Sequence, residues 1–245
     1  SLGIKILTGK AVSTVTGSKR VEGVAICSHA GSGEVLETVA CDCVAMSGGW
    51  SPVVHLWSHC GGKLEWDKKN YMFKPDLTSA PLGANGEGML TVAGTANGFL
   101  ISRDVLSDGY TKSKEIIKAL TGKVPKISME KAHSGDESEI LPVWCMPQGA
   151  TRKLKSKTWL DFQNDVKVSD VELAAQEGFE SVEHTKRYTT LGMATDQGKL
   201  SNINGLAVLS NSLNVSIPDV GTTTFRPPFQ PISLGAIAGE ARHEL

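Results

Sequence analysis

Two stretches decide how this chain is interpreted: Trp159-Leu-Asp-Phe-Gln-Asn-Asp-Val166 and Thr189-Thr-Leu-Gly-Met-Ala-Thr-Asp-Gln-Gly-Lys-Leu-Ser-Asn202. Two short helical patterns lie between them, at Val171–Glu177 and Val182–Tyr188. Because a helical hairpin brings its two ends close together, the loop before it and the loop after it should meet in space. We therefore predict one polar site that is built from both loops.

Capping residues mark the ends of these helices. Ser169 and Glu172 have the spacing of a capping box, and Gly178 follows the first helical pattern, where a left-handed residue ends many helices. Ser181 is the predicted N-cap of the second helix. The pattern therefore predicts a small module of short helices joined by tight turns.

The two loops resemble those of the small helical domain in amine and opine oxidase subunits. There, a Cys-x-Cys loop and a Gly-Met-Gly-x-Cys-Gln-Gly-x-x-Cys loop hold a two-iron iron-sulfur cluster. In this chain the four ligand positions carry other residues: Asp161, Gln163, Asp196 and Ser201. Iron-sulfur clusters are held mainly by thiolates, so we predict that this site binds no metal. A helical scaffold without its cluster ligands is similar to the alpha subunit of heterotetrameric sarcosine oxidase.

A cofactor contact is predicted at the start of a third helical pattern, which runs through Leu209. Lys199, Ser201 and Asn202 lie at or just before its first turn. Free N–H groups and a partial positive charge at a helix N-terminus favour an anion, and a neighbouring lysine suits a flavin phosphate. Two interpretations stay open here, contact with FMN or capping of the helix alone.

The first fifty residues are rich in β-branched residues that are separated by glycine turns. Four strands are predicted, with hairpin turns between them: Ile4–Leu7, Ala11–Val15, Arg20–Cys27 and Val35–Val39. The apolar stretch Cys41–Met46 predicts a buried strand that ends in the glycine-rich turn Ser47–Pro52. Cys41 and Cys43 would share one face of that strand. This suits a metal or simple packing, and packing is favoured because no second Cys or His pair has zinc spacing.

Another strand-like stretch, Met89–Val92, leads into a glycine turn at Gly94 and Gly98. A helix is predicted to follow, from about Leu100 to Leu106. Such a turn lets the backbone approach a phosphate closely, and the helix directs N–H groups at it. Without a full Gly-x-Gly-x-x-Gly pattern, the same turn is at least as often a packing device, so both interpretations stay open.

The order of strand, hairpin, strand and glycine turn resembles the end of the pyridine-nucleotide subdomain in two-dinucleotide-domain flavoproteins of the disulfide-reductase type. In that superfamily an Ala-Gly-Asp turn closes over the first dinucleotide, whereas Thr95 replaces the aspartate here. The resemblance to sarcosine oxidase alpha subunits implies NAD at this turn. The residues implied to contact it are Gly94, Thr95, Leu100 and Ser102.

The predicted fold class is α/β plus α, the C-terminal part of such a flavoprotein-like fold followed by a small helical domain without its cluster. We expect residues 1–60 to end the pyridine-nucleotide subdomain and residues 61–150 to return to the dinucleotide-binding domain with an insertion. Residues 151–215 would form the helical domain, and 216–245 a linker and the start of a folate-binding domain. The last expectation depends on the proline-rich stretch Phe225–Pro231, which is also typical of a surface linker. The chain would then be an internal portion of a longer subunit.

Composition limits the class of protein. The chain has 245 residues, 40% of them hydrophobic, and a formal net charge of -1. It can therefore bury a core, and it has no basic footprint for nucleic acid. The apolar runs are shorter than the roughly 20 residues that a membrane-spanning helix needs. The first residues, Ser1–Ile6, also lack the pattern of a secretory signal, so we predict a cytoplasmic protein. A polar run, Ala132–Glu139, predicts a solvated insertion.

The resemblance implies an enzyme complex that oxidises sarcosine to glycine with oxygen as acceptor and passes the one-carbon unit to tetrahydrofolate. The implied partners are the beta, gamma and delta subunits. FAD would lie in the beta subunit, FMN would be shared with a partner subunit, and tetrahydrofolate would bind in a domain beyond this chain. We expect no catalytic acid, base or nucleophile in these residues. Two rival classes stay open: an iron-sulfur or electron-transfer subunit of an opine or amino-acid oxidase, and a non-catalytic interaction module.

Overall fold

A computed structural model describes residues 2–126, 128–129, 132, 135, 139–228 and 230–240. The chain divides into two compact units, one formed by residues 1–48 and 142–223 and the other by residues 49–141 and 224–245. The predicted division into four segments refers to a longer subunit and stays a prediction. Most of the predicted polar insertion at 132–139 lies outside the described residues.

The described part of the chain forms seven strands and eight helices. The strands are β1 (Lys10–Thr16), β2 (Gly23–Ser28), β3 (Val35–Ala40), β4 (Leu64–Asp67), β5 (Met72–Pro75), β6 (Trp159–Asp161) and β7 (Val166–Lys167). The helices are α1 (His55–His59), α2 (Ser102–Thr121), α3 (Arg152–Lys155), α4 (Val168–Gln176), α5 (Val182–Thr189), α6 (Asn202–Leu213), α7 (Ile217–Val220) and α8 (Leu234–Ala238). Single 3₁₀ turns occur at Leu77–Ser79 and Gly94–Asn97. No helix in this part of the chain is both long and apolar enough to cross a membrane.

The first unit contains an antiparallel sheet in the order β1-β2-β3. This confirms the two predicted hairpins. In the central strand, residues from Gly23 to Cys27 are buried, whereas every position of β3 is exposed. The edge strand β3 is therefore open on both of its faces.

Three predicted strands are not strands in the structure: Ile4–Leu7, Cys41–Met46 and Met89–Val92. The side chains of Ile6 and Met46 are 80% and 71% exposed, and Cys43 is exposed as well. Strand propensity takes effect only where a partner strand and a packing surface are available, and these stretches have neither among the described residues. The prediction of a buried strand with two cysteines on one face is therefore wrong.

The second unit contains the β4–β5 hairpin and the long helix α2. The helix begins at Ser102 and continues far beyond Leu106, where the sequence predicted its end. It continues because the residues after Leu106 include several good helix formers, among them lysine, glutamate, alanine and leucine. It ends where Gly122 adopts a φ of 71°.

The helices α4, α5 and α6 form the predicted helical module in the first unit. They bury apolar side chains against one another, namely Val168, Val171 and Ala174 of α4, Val182 of α5, and Leu206, Ala207, Val208 and Leu209 of α6. Leu191, from the loop after α5, is 1% exposed and joins this core. The module therefore has an apolar interior that fixes where its loops start and end.

The caps of the module are partly as predicted. Ser181 caps α5, because its hydroxyl accepts the His184 N–H group over 3.3 Å, and Gly178 follows α4 with a φ of 90°. The predicted capping box at Ser169 and Glu172 is wrong. The helix α4 begins earlier, at Val168, so the carboxylate of Asp170 accepts the N–H group of the residue before the helix over 2.8 Å.

Candidate functional site

The two loops on either side of α4 and α5 meet, as the sequence predicts. We call residues 161–165 and 190–201 the loop pair. The N–H group of Gly192 in the second loop donates to the carboxylate of Asp161 in the first over 2.9 Å. The side-chain amide of Asn164 donates to the carbonyl oxygen of Thr190 over 2.9 Å. Hydrogen bonds between residues that lie far apart in sequence therefore join the loops.

Asp161 is the centre of the loop pair. It is 3% exposed, and its carboxylate accepts N–H groups from Gln163 over 2.9 Å, from Asn164 over 3.1 Å and from Gly192 over 2.9 Å. Burial of a carboxylate is costly unless its oxygen atoms are hydrogen-bonded. Because both oxygens are used in this way, Asp161 fixes the first loop and ties it to the second.

Gln163 and Asp196 add further hydrogen bonds of the same kind. The Gln163 side-chain oxygen accepts from the Thr195 hydroxyl over 3.1 Å and from the Asp196 N–H group over 3.3 Å. The Asp196 carboxylate accepts the Gly198 N–H group over 3.1 Å. At three of the four positions that resemble cluster ligands, side-chain oxygens therefore accept hydrogen bonds from the loops themselves.

Ser201 and Asn202, two of the predicted cofactor residues, are buried where the second loop ends and α6 begins. They are 1% and 6% exposed. The Asn202 amide nitrogen donates to the Thr223 hydroxyl over 2.8 Å, whereas the Asn202 Oδ1 and Ser201 Oγ atoms have no hydrogen-bond partner among the described residues. Lys199 is only half-buried. A ligand on the surface of the loop pair would therefore meet Lys199 before it met the other two.

Glycine residues allow the second loop to lie directly over Asn202. A Cβ atom placed on either Gly192 or Gly198 would come within 2.1 Å of the Asn202 Oδ1 atom. Both glycines have positive φ angles, 67° and 74°. The glycine-rich pattern of this loop therefore has a packing reason of its own.

The loop pair exposes three large apolar side chains. Phe162, Met193 and Leu200 are 78%, 55% and 77% exposed. Exposed apolar side chains of this size are common at contact sites, and the two loops that carry these three are joined by hydrogen bonds. Periodicity could not predict these exposed side chains because the residues lie outside helices and strands. The visible signal was that Phe162 and Leu200 each stand directly beside a position that resembles a cluster ligand.

The second predicted site is the turn at Gly94. Its N–H group donates to the Oδ2 atom of Asp108 in α2 over 2.8 Å. The amide nitrogen of Asn97 donates to the same oxygen over 3.3 Å. The sequence did not indicate Asp108, yet this residue accepts the Gly94 N–H group within the turn where the backbone was expected to approach a phosphate.

The other residues predicted at this turn differ in their exposure. Thr95 is half-buried, whereas Ser102, the first residue of α2, is exposed. Leu100 is half-buried as well. No side chain caps the N-terminus of α2. A Cβ atom on Gly94 would lie 3.1 Å from the Cγ1 atom of Val105, so this glycine also allows the turn to pack on α2. The structure therefore leaves the first turn of α2 open and satisfies the Gly94 N–H group internally.

Metal binding and thiol activation can each be checked against the described side chains. In the part of the chain that the structure describes, no group of three or more His, Cys, Asp or Glu side chains is placed to hold a metal ion. Burial raises the pKa of the Cys145 thiol, with Glu172 adding to the rise and Lys155 opposing it. A thiol with a raised pKa is a poor nucleophile at neutral pH, so this environment does not activate Cys145.

Comparison with solved structures shows a likeness in fold. The chain is similar to an L-proline dehydrogenase from P. horikoshii, with a TM-score of 0.61 and 18% sequence identity, over 94% of this chain and 44% of that one. At this identity the likeness concerns the fold alone. It agrees in coarse outline with the predicted flavoprotein-type fold.

Comparison with sequences gives the family. Residues 155–240 match the sarcosine oxidase A3 domain. The chain is 40% identical to sarcosine oxidase subunit alpha from Rhizobium meliloti (strain 1021) over 204 residues, 83% of this chain and 19% of that one. It is 33% identical to the same subunit from Corynebacterium sp. (strain P-1) over 250 residues, 99% of this chain and 25% of that one. The chain therefore belongs to the sarcosine oxidase alpha subunits, and it spans 19% to 25% of the length of these relatives.

Proposed function

We propose that this chain contributes to an oxidoreductase complex that oxidatively demethylates sarcosine to glycine, with oxygen as acceptor and transfer of the one-carbon unit to tetrahydrofolate. The observation that carries the proposal is the loop pair. Its Asp161 and Gln163 oxygens accept backbone N–H groups at positions that resemble cluster ligands. This is the arrangement expected of an A3-type helical domain whose scaffold is retained without thiolates.

The proposal assigns this chain a supporting role rather than the chemical step. Beta, gamma and delta subunits would be its partners in a cytoplasmic complex, with FAD in the beta subunit and tetrahydrofolate in a domain beyond this chain. The residues described here would position cofactors and a partner subunit. NAD would lie at the Gly94 turn, in contact with Thr95, Leu100 and Ser102.

The loop pair would form the partner interface that holds FMN. The exposed side chains of Phe162, Met193 and Leu200 suit contact with an apolar partner surface. The Lys199 ammonium group suits the FMN phosphate, and the buried Ser201 and Asn202 would form the polar floor beneath it. FMN supplies electron-transfer chemistry when bound. The chain's own contribution is to fix the phosphate at the edge of the interface.

The test replaces Lys199 with alanine in the assembled complex and measures bound FMN. A hydrogen bond between charged groups contributes about 1.5–3 kcal/mol, so Lys199→Ala should weaken FMN binding roughly tenfold or more. Lys153→Ala is the matched control, because it removes the same charge from an exposed position on α3 of the same unit. Full FMN occupancy in the Lys199→Ala complex would remove this lysine from the phosphate site.

Iron analysis tests the proposed class of subunit as a whole. We expect no stoichiometric iron in the purified complex at this domain, because oxygen and amide groups are poor replacements for thiolates in a cluster. A visible absorption spectrum checks the same point independently. Stoichiometric iron that is lost in an Asp161→Ala variant would contradict the proposal and favour an iron-sulfur electron-transfer subunit.

A further inference from the structure

A carboxylate lies against the Gly94 turn, although residues 94–98 include no aspartate or glutamate. Thr95 stands beside Gly94, and the carboxylate comes from α2, where Asp108 lies 14 residues further along the chain. Both of its described hydrogen bonds, from the Gly94 N–H group and the Asn97 amide, fall on the Oδ2 atom. The Asp108 side chain is therefore held in one orientation against the turn.

This geometry leaves part of the carboxylate available to a ligand. An ionised carboxylate has about four lone-pair positions, and the two bonds described here use one oxygen atom. Asp108 is half-buried, so the other oxygen is not sealed inside a core. Its negative charge repels a phosphate within a few ångströms, but it strengthens a hydrogen bond that a hydroxyl group donates to it. The turn therefore favours a hydroxyl-bearing part of a ligand over a phosphate.

We propose that Asp108 is a specificity-determining residue of the Gly94 turn, and that its second carboxylate oxygen accepts a hydrogen bond from a ribose hydroxyl of the bound dinucleotide. This inference depends on the proposed NAD contact at the turn. Carboxylates commonly accept hydrogen bonds from ribose hydroxyls in dinucleotide sites. Here the carboxylate comes from the second turn of a helix instead of the strand-to-helix turn itself.

The test compares Asp108→Asn with the wild-type complex, using NAD as the probe and equilibrium dialysis to measure its Kd. The substituted amide keeps the size of the aspartate side chain and an oxygen that can still accept the Gly94 N–H group, but it loses the charge. We expect NAD binding to weaken roughly tenfold or more, because a charge-assisted hydrogen bond is lost. Asp104→Asn is the matched control, since it removes the same charge one helical turn away on α2, and it should leave the Kd within about twofold.

The direction of the change separates the possible outcomes. Tighter NAD binding in Asp108→Asn would mean that the carboxylate repels a phosphate, and unchanged binding would mean that it only ties the turn to α2. Either result overturns the ribose contact. If Asp108→Asn lowers the melting temperature of the complex markedly, Asn97→Ala gives a second measurement. That variant keeps the carboxylate but loosens its orientation, so NAD should bind several-fold more weakly, and an unchanged Kd would also overturn the inference.

A separate variant distinguishes this inference from the proposed function. Gly94→Val obstructs the turn while keeping the Asp108 carboxylate itself. If wild-type and Gly94→Val complexes hold the same amount of NAD, the dinucleotide does not contact this turn, and both the proposed NAD site and the ribose contact fail. If Gly94→Val loses NAD while Asp108→Asn keeps it, only the role of Asp108 fails.

Discussion

The loop pair and the Gly94 turn are each held by a hydrogen bond between a glycine N–H group and a carboxylate. In each, a carboxylate from elsewhere in the unit accepts the N–H group of a glycine with a positive φ angle: Asp161 with Gly192 over 2.9 Å, and Asp108 with Gly94 over 2.8 Å. They differ in how much of the carboxylate is still available to a ligand. Asp161 is 3% exposed and receives three N–H groups on both oxygens, whereas Asp108 is half-buried and receives its bonds on one. Burial and unused lone pairs, not the residue type, therefore separate a structural tie from a group that can contact a ligand.

The largest effect should come from removing the buried carboxylate. Asp161→Ala leaves three N–H groups without their acceptor, at about 1–3 kcal/mol each where water cannot replace it. We expect the free energy of unfolding, measured by urea titration, to fall by about 3–5 kcal/mol. Asp108→Ala should cost only about 1–2 kcal/mol, because Asp108 is half-buried and the variant leaves two donors rather than three without their acceptor. Equal losses for the two variants would contradict the distinction between a closed tie and an open one.

Glycine substitutions should rank the same two regions by their available space. Gly192→Ala places a Cβ atom 2.1 Å from the Asn202 Oδ1 atom at a φ of 67°, so we expect a loss of about 2–4 kcal/mol in the free energy of unfolding. Gly94→Ala should cost less, because its nearest contact is a methyl group of Val105 at 3.1 Å. Gly178→Ala is the control. Its φ is 90° and no atom lies within 4 Å, so only backbone strain of about 1 kcal/mol applies.

These three losses should therefore fall in the order Gly192, Gly94, Gly178. Thermal unfolding of each purified variant gives an independent ranking. A loss for Gly178→Ala as large as that for Gly192→Ala would show that the φ angle alone, not contact with Asn202, governs the second loop.

The smallest effect is expected at Ser201, which distinguishes the loop pair in another way. Its buried hydroxyl has no hydrogen-bond partner among the described residues, and such burial is unfavourable. Ser201→Ala should therefore leave the free energy of unfolding unchanged or raise it by up to about 1 kcal/mol. Thr185→Val is the contrasting variant, because the Thr185 hydroxyl donates to the Phe179 carbonyl oxygen over 3.2 Å and its loss should cost about 1 kcal/mol. A clear loss in Ser201→Ala would reveal a water or ligand bound to that hydroxyl.

Local rules explain what the sequence could predict. Ser181 starts α5 and Gly178 follows α4 because capping depends on a few neighbouring residues. The meeting of the loops followed from the return of a short helical hairpin, and the hairpins of the first sheet followed from turn residues between β-branched runs. The helical module and its loop pair were therefore accessible to sequence reasoning.

Non-local partners explain what was missed. Whether Cys41–Met46 forms a strand depends on a partner strand that no local pattern reveals, and this stretch is not a strand in the structure. Asp108 was missed because the helix after the Gly94 turn was expected to end at Leu106. Once α2 extends to Thr121, Asp108 lies on its second turn, close enough to reach back to the glycine. Because the predicted helix was too short, Asp108 was not recognised as a residue of the candidate site.

The open edge strand β3 affects how the isolated chain would behave at high concentration. Val35 and Leu36 are 52% and 54% exposed, and the outer backbone groups of an edge strand are free to pair with another chain. Such strands are common starting points for aggregation, which proteins suppress with charges, prolines or covering segments. In β3 the charge comes from Glu37, whose exposed ion pair with Lys5 spans 3.5 Å. Preparations of this chain by itself should therefore self-associate through β3. The fraction of monomeric protein should rise as the protein concentration is lowered.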